Sequence, residues 1–154
     1  MKHPGSKELE QINDTITKLF AAISFPEGQP PNMHKIKGLF IDRGLLIDYN
    51  EEQAQIFGVV DFIEHFNQLC QEGIISGLED REVYHKTKIY DRIAHRYSFY
   101  EARVDPASAP FAKGINSIQL VKIGSEWRIS SMAWNDDSRG DGFFKRTMDC
   151  IKSD

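Results

Sequence analysis

Two hydrophobic rhythms divide the chain. From Leu9 onward, Ile12, Ile16, Leu19, Phe20 and Ile23 recur at the three-and-four spacing that lays one apolar stripe along an α-helix. Ser6 is the expected N-cap, and Ser24-Phe25-Pro26-Glu27-Gly28 ends the helix, with Pro30-Pro31 extending the break. A short helical segment from Met33 to Phe40 follows, turning Met33, Ile36, Leu39 and Phe40 inward. Asp42-Arg43-Gly44 reads as a turn into a short strand at Leu45 to Tyr49, and residues 50–58 read as polar and irregular. Val59, Val60, Phe62, Ile63, Phe66 and Leu69 give another helix, which Gly73 is suited to end.

Beyond residue 80 the period drops toward two. Arg81 to Lys88 alternates weakly, and a turn around Tyr90-Asp91-Arg92 leads to a long strand at 93–104. The proline-bearing loop 105–113 joins it to a strand at 114–123. Gly124-Ser125 closes a hairpin with residues 126–135. The tail, 136–154, starts polar and Gly-rich and ends in a short helical stretch at Phe143 to Met148. Helices first and serial strands afterwards predict a single α+β domain over 1–154. Its core, about 7–135, is a curved antiparallel sheet covered by the N-terminal helices, a cone whose mouth admits a ligand.

Composition narrows the function classes. With 19 Lys and Arg against 23 Asp and Glu, a net charge of -4 and no basic patch, nucleic acid is not an expected partner. No long apolar run predicts a membrane span, and the first residues lack the apolar core of a signal peptide. Cys70 and Cys150 lie far apart, which fits a reducing compartment, so a cytoplasmic protein is expected.

The runs IAHRYSFYEAR (93–103), GINSIQLVKIGSEWRI (114–129) and SMAWND (131–136) resemble the nuclear transport factor 2-like superfamily, with its SnoaL-like and cystatin-like α+β relatives. Within it they resemble uncharacterised bacterial proteins, and the likeness extends over about residues 7–135. The resemblance implies a cone-shaped α+β barrel, often a homodimer packed through its sheet. The superfamily includes isomerases, dehydratases, hydrolases, cyclases and non-enzymatic binders, so the fold does not decide the function.

Asp48 is the first candidate acid/base. In the superfamily's ketosteroid isomerases a helix-end Leu-Phe is followed eight residues later by a catalytic Asp, and Leu39-Phe40 stands at that interval from Asp48. A strand-end Asp also serves to cap a backbone N–H. The isomerases' oxyanion-hole Tyr aligns, on the segment LFAAI, with Leu19, which has nothing to donate. His95 and Tyr97 are a second pair. Period-two alternation puts Ile93, His95, Tyr97, Phe99 and Glu101 on one face of their strand, and this more apolar set is assigned to the cavity. There His95 is a second candidate acid/base and Tyr97 a ligand contact, unless the two are core residues satisfied by neighbours. Arg96 then falls on the other face. Asn116 shares parity with Ile118 and Leu120 and is the expected cavity amide, while Gln119 points outward. Trp127 and Trp134 point to opposite faces of an unbroken strand, with Trp134 at the cavity mouth.

No phosphate loop, dinucleotide fingerprint or serine elbow occurs, and Asp61 with His65, at i,i+4 on one helix, is a legal ligand spacing but more often a solvated pair, so neither metal nor cofactor is expected. The leading expectation is a small-molecule cavity for a hydrophobic or amphipathic ligand. The alternatives are a cofactor-independent isomerase, dehydratase or cyclase using Asp48 or His95, and an oligomerisation or partner-binding module.

Overall fold

The computed structural model describes residues 5–154. Helix α1 (Ser6–Ile23) buries Ile12, Ile16, Leu19 and Phe20 along its apolar stripe. Its cap differs from the expectation. Gly5, at φ 94°, takes the cap position in a left-handed conformation, and Ser6 begins the helix instead of capping it. A 3-10 helix (Met33–Leu39) feeds strand β1 (Phe40–Asp48), and β2 (Gln55–Gly58) folds back along it. Helix α2 (Val59–Gln71) ends in a Schellman motif: Gly73 N–H donates to Cys70 O and Ile74 N–H to Leu69 O, with Gly73 at φ 76°. Strands β3 (Glu79–Tyr90), β4 (Ile93–Arg103), β5 (Ala112–Ile123) and β6 (Glu126–Asp136) follow as a meander, and helix α3 (Phe143–Lys152) ends the chain.

The six strands lie in the order β2-β1-β6-β5-β4-β3, forming a curved, unclosed sheet. All neighbours are antiparallel except β1 and β6, which run parallel. Two stretches read as turn and irregular coil are therefore strand. Residues 42–44 belong to β1, and residues 55–58 form β2. The reason is a matched pair of irregularities. Ser130 is an extra residue in β6, between Ile129, paired to Leu120, and Ser131, paired to Gln119; its hydroxyl donates to Gln119 O at 3.2 Å. Opposite it, residues 41–44 bulge between Phe40 and Leu45, and a Cβ on Gly44 would lie 2.9 Å from the Phe40 ring. A polar sequence at a bulge looks like a turn.

Helices α1 and α2 and the 3-10 helix cover the inner face, where Ile118, Leu120, Ile129, Leu46 and Phe40 complete the core. Helix α3 covers part of the outer face, packing Phe144 and Ile151 on Phe99 with Tyr84, Tyr97 and Ile115 around them. Lys86 Nζ donates to Ile151 O at 2.9 Å, capping that helix's C-terminal end.

Coverage of both faces reverses the inward set expected for β4. Ala94, Ser98, Tyr100 and Ala102 face the helices, and His95, Tyr97 and Phe99 face outward. Arg96 is inward and only 2% exposed. Its guanidinium forks onto Glu82, with Nε at 3.1 Å from Oε2. It also reaches Asn13 Oδ1 at 2.6 Å and Thr87 Oγ1 at 3.2 Å, while Ser98 donates to the same carboxylate. This network ties α1 to β3 and β4. At the same end Glu8 accepts from Lys122 Nζ (2.8 Å) and Trp127 Nε1 (2.6 Å), and both contacts hold its carboxyl below the usual range.

Truncating one partner of the Arg96–Glu82 pair leaves the other buried without a counter-charge. Glu82→Ala is expected to lower unfolding free energy by about 3–5 kcal/mol, and Glu82→Leu combined with Arg96→Met to recover most of that loss. Urea denaturation at neutral pH measures both; equal destabilisation of the single and double variants would contradict a closed ion pair.

Candidate functional site

A cavity of about 250 Å³ opens between the inner face of the sheet and helices α1 and α2. Its walls are apolar, with Leu19, Met33, Ile36, Phe62 and Phe66 supplied by the helices. Its polar groups come from adjacent strands, and the register places them. Asn116 on β5, Trp134 on β6 and Asp48 on β1 lie abreast. In the next inward-facing row Tyr100 on β4 is paired to Gly114, which is paired to Asp136. One row further, Asp80 on β3 stands opposite Ala102. The backbone at Asp80 is anchored to the end of α1, because its N–H donates to Ser24 Oγ at 3.0 Å and Leu78 pairs with Phe25.

Three of the five site residues expected from sequence therefore meet in one cavity: Asp48, Asn116 and Trp134. Asp48 also performs the structural task weighed for it, since its Oδ1 accepts the Asn50 N–H at 2.8 Å. Asn116 is 2% exposed, and its Nδ2 has no hydrogen-bond partner. Trp134 packs edge-on against Phe62, with ring centroids 5.6 Å apart. The extra residue at Ser130 breaks the strand's parity, so Trp127 and Trp134 share the inner face rather than opposing faces.

His95 and Tyr97 lie elsewhere. They are on the outer face, ring against ring at 4.4 Å, and the His95 Nε2 is hydrogen-bonded to Ser117 Oγ at 2.9 Å. Partial burial lowers the His95 pKa. The apolar residues sharing their face, Phe99 above all, pack under α3 rather than around the cavity.

Sequence reasoning missed Tyr100, Asp80 and Asp136. Alternation along β4 puts Tyr100 on the face opposite His95, Asp80 lies just before the strand expected from Arg81, and Asp136 falls in the expected polar tail. One signal was present: Gly114 stands opposite Tyr100. The Tyr100 ring lies across that glycine, and its hydroxyl donates to Asp136 Oδ1. A Cβ at Gly114 would run into the Tyr100 ring and hydroxyl and into Asn135 O.

The electrostatics of this cluster are unusual. The Asp80 carboxyl is pushed up to about 7, first by burial and then by the like charge of Asp136, against a smaller opposing effect of the Arg81 backbone N–H. Its Oδ1 is buried without a partner. Tyr100 is driven far above its ordinary range by burial, by its bond to Asp136 and by the nearby carboxylates of Asp136, Asp80 and Asp48, so it stays a neutral donor. Among the described residues no Lys, Arg or His lines the cavity, and no three His, Cys, Asp or Glu side chains are placed to hold a metal ion. The lining thus offers no cation to a phosphate-bearing cofactor. His65, the expected i,i+4 partner of Asp61, is stacked on Phe57 at 5.0 Å. Among the described residues, no helix is long and apolar enough to cross a membrane.

No protein-family model matches the sequence, and no curated protein matches it. Solved structures do match the fold. A cystatin-like protein of unknown function from Nostoc punctiforme superposes with a TM-score of 0.71 at 11% identity, over 90% of this chain and 97% of that one. A nuclear transport factor 2-like protein of unknown function from Silicibacter pomeroyi gives 0.62 at 11% identity, over 87% and 99%. Another from Pseudomonas putida gives 0.67 at 11%, over 87% and 89%. The chain has the nuclear transport factor 2-like fold. At such low identity the likeness is one of fold, and the neighbours' functions are themselves unknown, so the chemistry of the nuclear transport factor 2-like cone rests on its own lining.

Gly114→Ala is expected to cost about 1–3 kcal/mol by overpacking and to push Tyr100 off Asp136. An ultraviolet tyrosine titration reads the second effect. In the wild type Tyr100 resists ionisation until the chain unfolds, and in the variant that resistance falls; an unchanged titration would contradict the close approach.

Proposed function

We propose that the cone binds a small, mainly apolar molecule whose polar end meets Asp80, Asp136 and Asn116, with Asp48 and Trp134 at its border. One observation carries this reading: the residues lining a mostly apolar cavity of about 250 Å³ include Asp80 and Asn116, each with one buried polar atom, Oδ1 and Nδ2, that has no partner in the protein. Buried polar groups of folded proteins are nearly always satisfied, and leaving one unmet costs about 1–3 kcal/mol. Convergent polar groups in an apolar cleft are the usual form of a small-molecule site.

A second reading, a cofactor-independent isomerase, dehydratase or cyclase, is favoured by the Asp80 carboxyl. An acid poised at about 7 is suited to taking and returning a proton near neutrality. In this version the acid/base role passes to Asp80, with Asp48 as a second carboxylate, and His95 lies outside the cavity. A homodimer through the sheet would use the part of the outer face that α3 leaves open. The free thiols of Cys70 and Cys150 fit a cytoplasmic setting.

Native mass spectrometry against a fragment library tests the binding reading. The wild type is expected to retain fragments that are lost on denaturation and that Ala112→Trp, which adds an indole to the cavity lining, does not retain. Equal retention by both proteins would remove the cone as the site.

A further inference from the structure

The charge inside the cone is one-sided. Asp48, Asp80 and Asp136 all line it, and among the described residues nothing basic does. Elsewhere under the helices the protein neutralises its acids. Glu82 has Arg96 and Ser98, and Glu8 has Lys122 and Trp127. In the cone Asp136 receives only a neutral phenol from Tyr100, and Asp80 Oδ1 receives nothing. A second observation points to a ligand independently of the acids: Asn116, 2% exposed, lines the same cavity with its amide nitrogen unpartnered.

We infer that the molecule bound in the cone is a small hydrophobic amine, taken up as its ammonium ion with the charge at Asp80 and Asp136 and its apolar body among the helix side chains. This rests on the binding reading above and adds the ligand's charge to it. An ammonium group supplies the donors and the counter-charge that the two carboxylates lack. Phe62, Phe66 and Trp134 line the same cavity, and aromatic rings attract cations. A bare metal ion fits less well, because the carboxylates are not placed to coordinate one. An anion would meet an acidic lining, and a neutral molecule would bring that lining no counter-charge. The Asn116 amide is then free for an acceptor on the ligand, such as a hydroxyl or carbonyl oxygen.

Three probes sharing one ring and differing in charge test the inference: benzylamine, benzyl alcohol and benzoate, titrated at neutral pH while the Trp134 indole and Met132 methyl signals are followed by NMR. Benzylamine is expected to shift both signals and to bind about tenfold or more tightly than benzyl alcohol, the range of one charge-assisted hydrogen bond, with benzoate weakest. Asp80→Asn, nearly isosteric and relieved of a buried charge, is expected to fold and to lose most of that preference. Benzyl alcohol or benzoate binding as well as benzylamine would overturn the inference and leave the binding reading standing. So would an undiminished preference in Asp80→Asn. If no probe moves Trp134 or Met132, the cone is not a site for molecules of this size and both fall.

Discussion

The shape of this molecule depends on one extra residue. Ser130 sits unpaired in β6, its hydroxyl donating to Gln119 O, and β1 answers with an irregular stretch between Phe40 and Leu45. A bulge bends its strand and increases the local twist, and here it also changes the phase of the side chains. Ahead of it Trp127 and Ile129 face the helices; beyond it Met132, Trp134 and Asp136 do. A regular β6 that kept Ile129 in the core would turn Trp134 and Asp136 outward, and the cone would lose both an aromatic wall and one of its acids. Fold and site are thus set by the same irregularity.

The inner face then carries two acidic clusters with opposite treatment. Around Glu82 every strong group is met, by Arg96, Ser98 and, through the guanidinium, Asn13 and Thr87. Such closed pairs hold elements in register more than they add stability. Around Asp80 the groups are left open, next to a like charge and an unpartnered amide. The contrast is informative because Glu82 and Asp80 lie two residues apart on β3. The protein provides a basic partner where the helices close over the sheet and none where the cavity begins. Buried, unpaired and like-charged groups are costly to folding, and sites of binding or proton transfer are where such cost has a use.

Much of the architecture was legible in the chain. The stripe of α1, the stop at Gly73 and the Gly124-Ser125 hairpin follow from local chemistry, and the runs of β4 to β6 carried the resemblance to the fold. Asn116 faces the cavity as its parity predicts, because its same-face neighbours Ile118 and Leu120 are fully in the inner core, while outer-facing Ile115 is only partly buried under α3. His95 and Tyr97 were not, because α3 buries apolar residues on the outer face and apolarity therefore stops marking the inner one. Asp80, Tyr100 and Asp136 were invisible for a related reason. They gain their character from being brought into one row-to-row neighbourhood across four strands, and no spacing along the chain encodes that.

The most direct test of this account is a carbon-detected NMR titration of the Asp80 carboxyl in the wild type and in Asp136→Asn. The account predicts a midpoint near 7 in the wild type and a lower one in the variant, where the like charge is gone. The thermodynamics must agree. In the unfolded chain the same group titrates near 3.8, so between those two pH values only the folded state holds the proton. The Asp80 contribution to stability therefore falls as pH rises through that window, and Asp80→Asn abolishes the fall. A wild-type midpoint near 4, unmoved by Asp136→Asn, would mean that Asp80 is solvated and unstrained, and the cone would lose the feature on which its proposed chemistry depends.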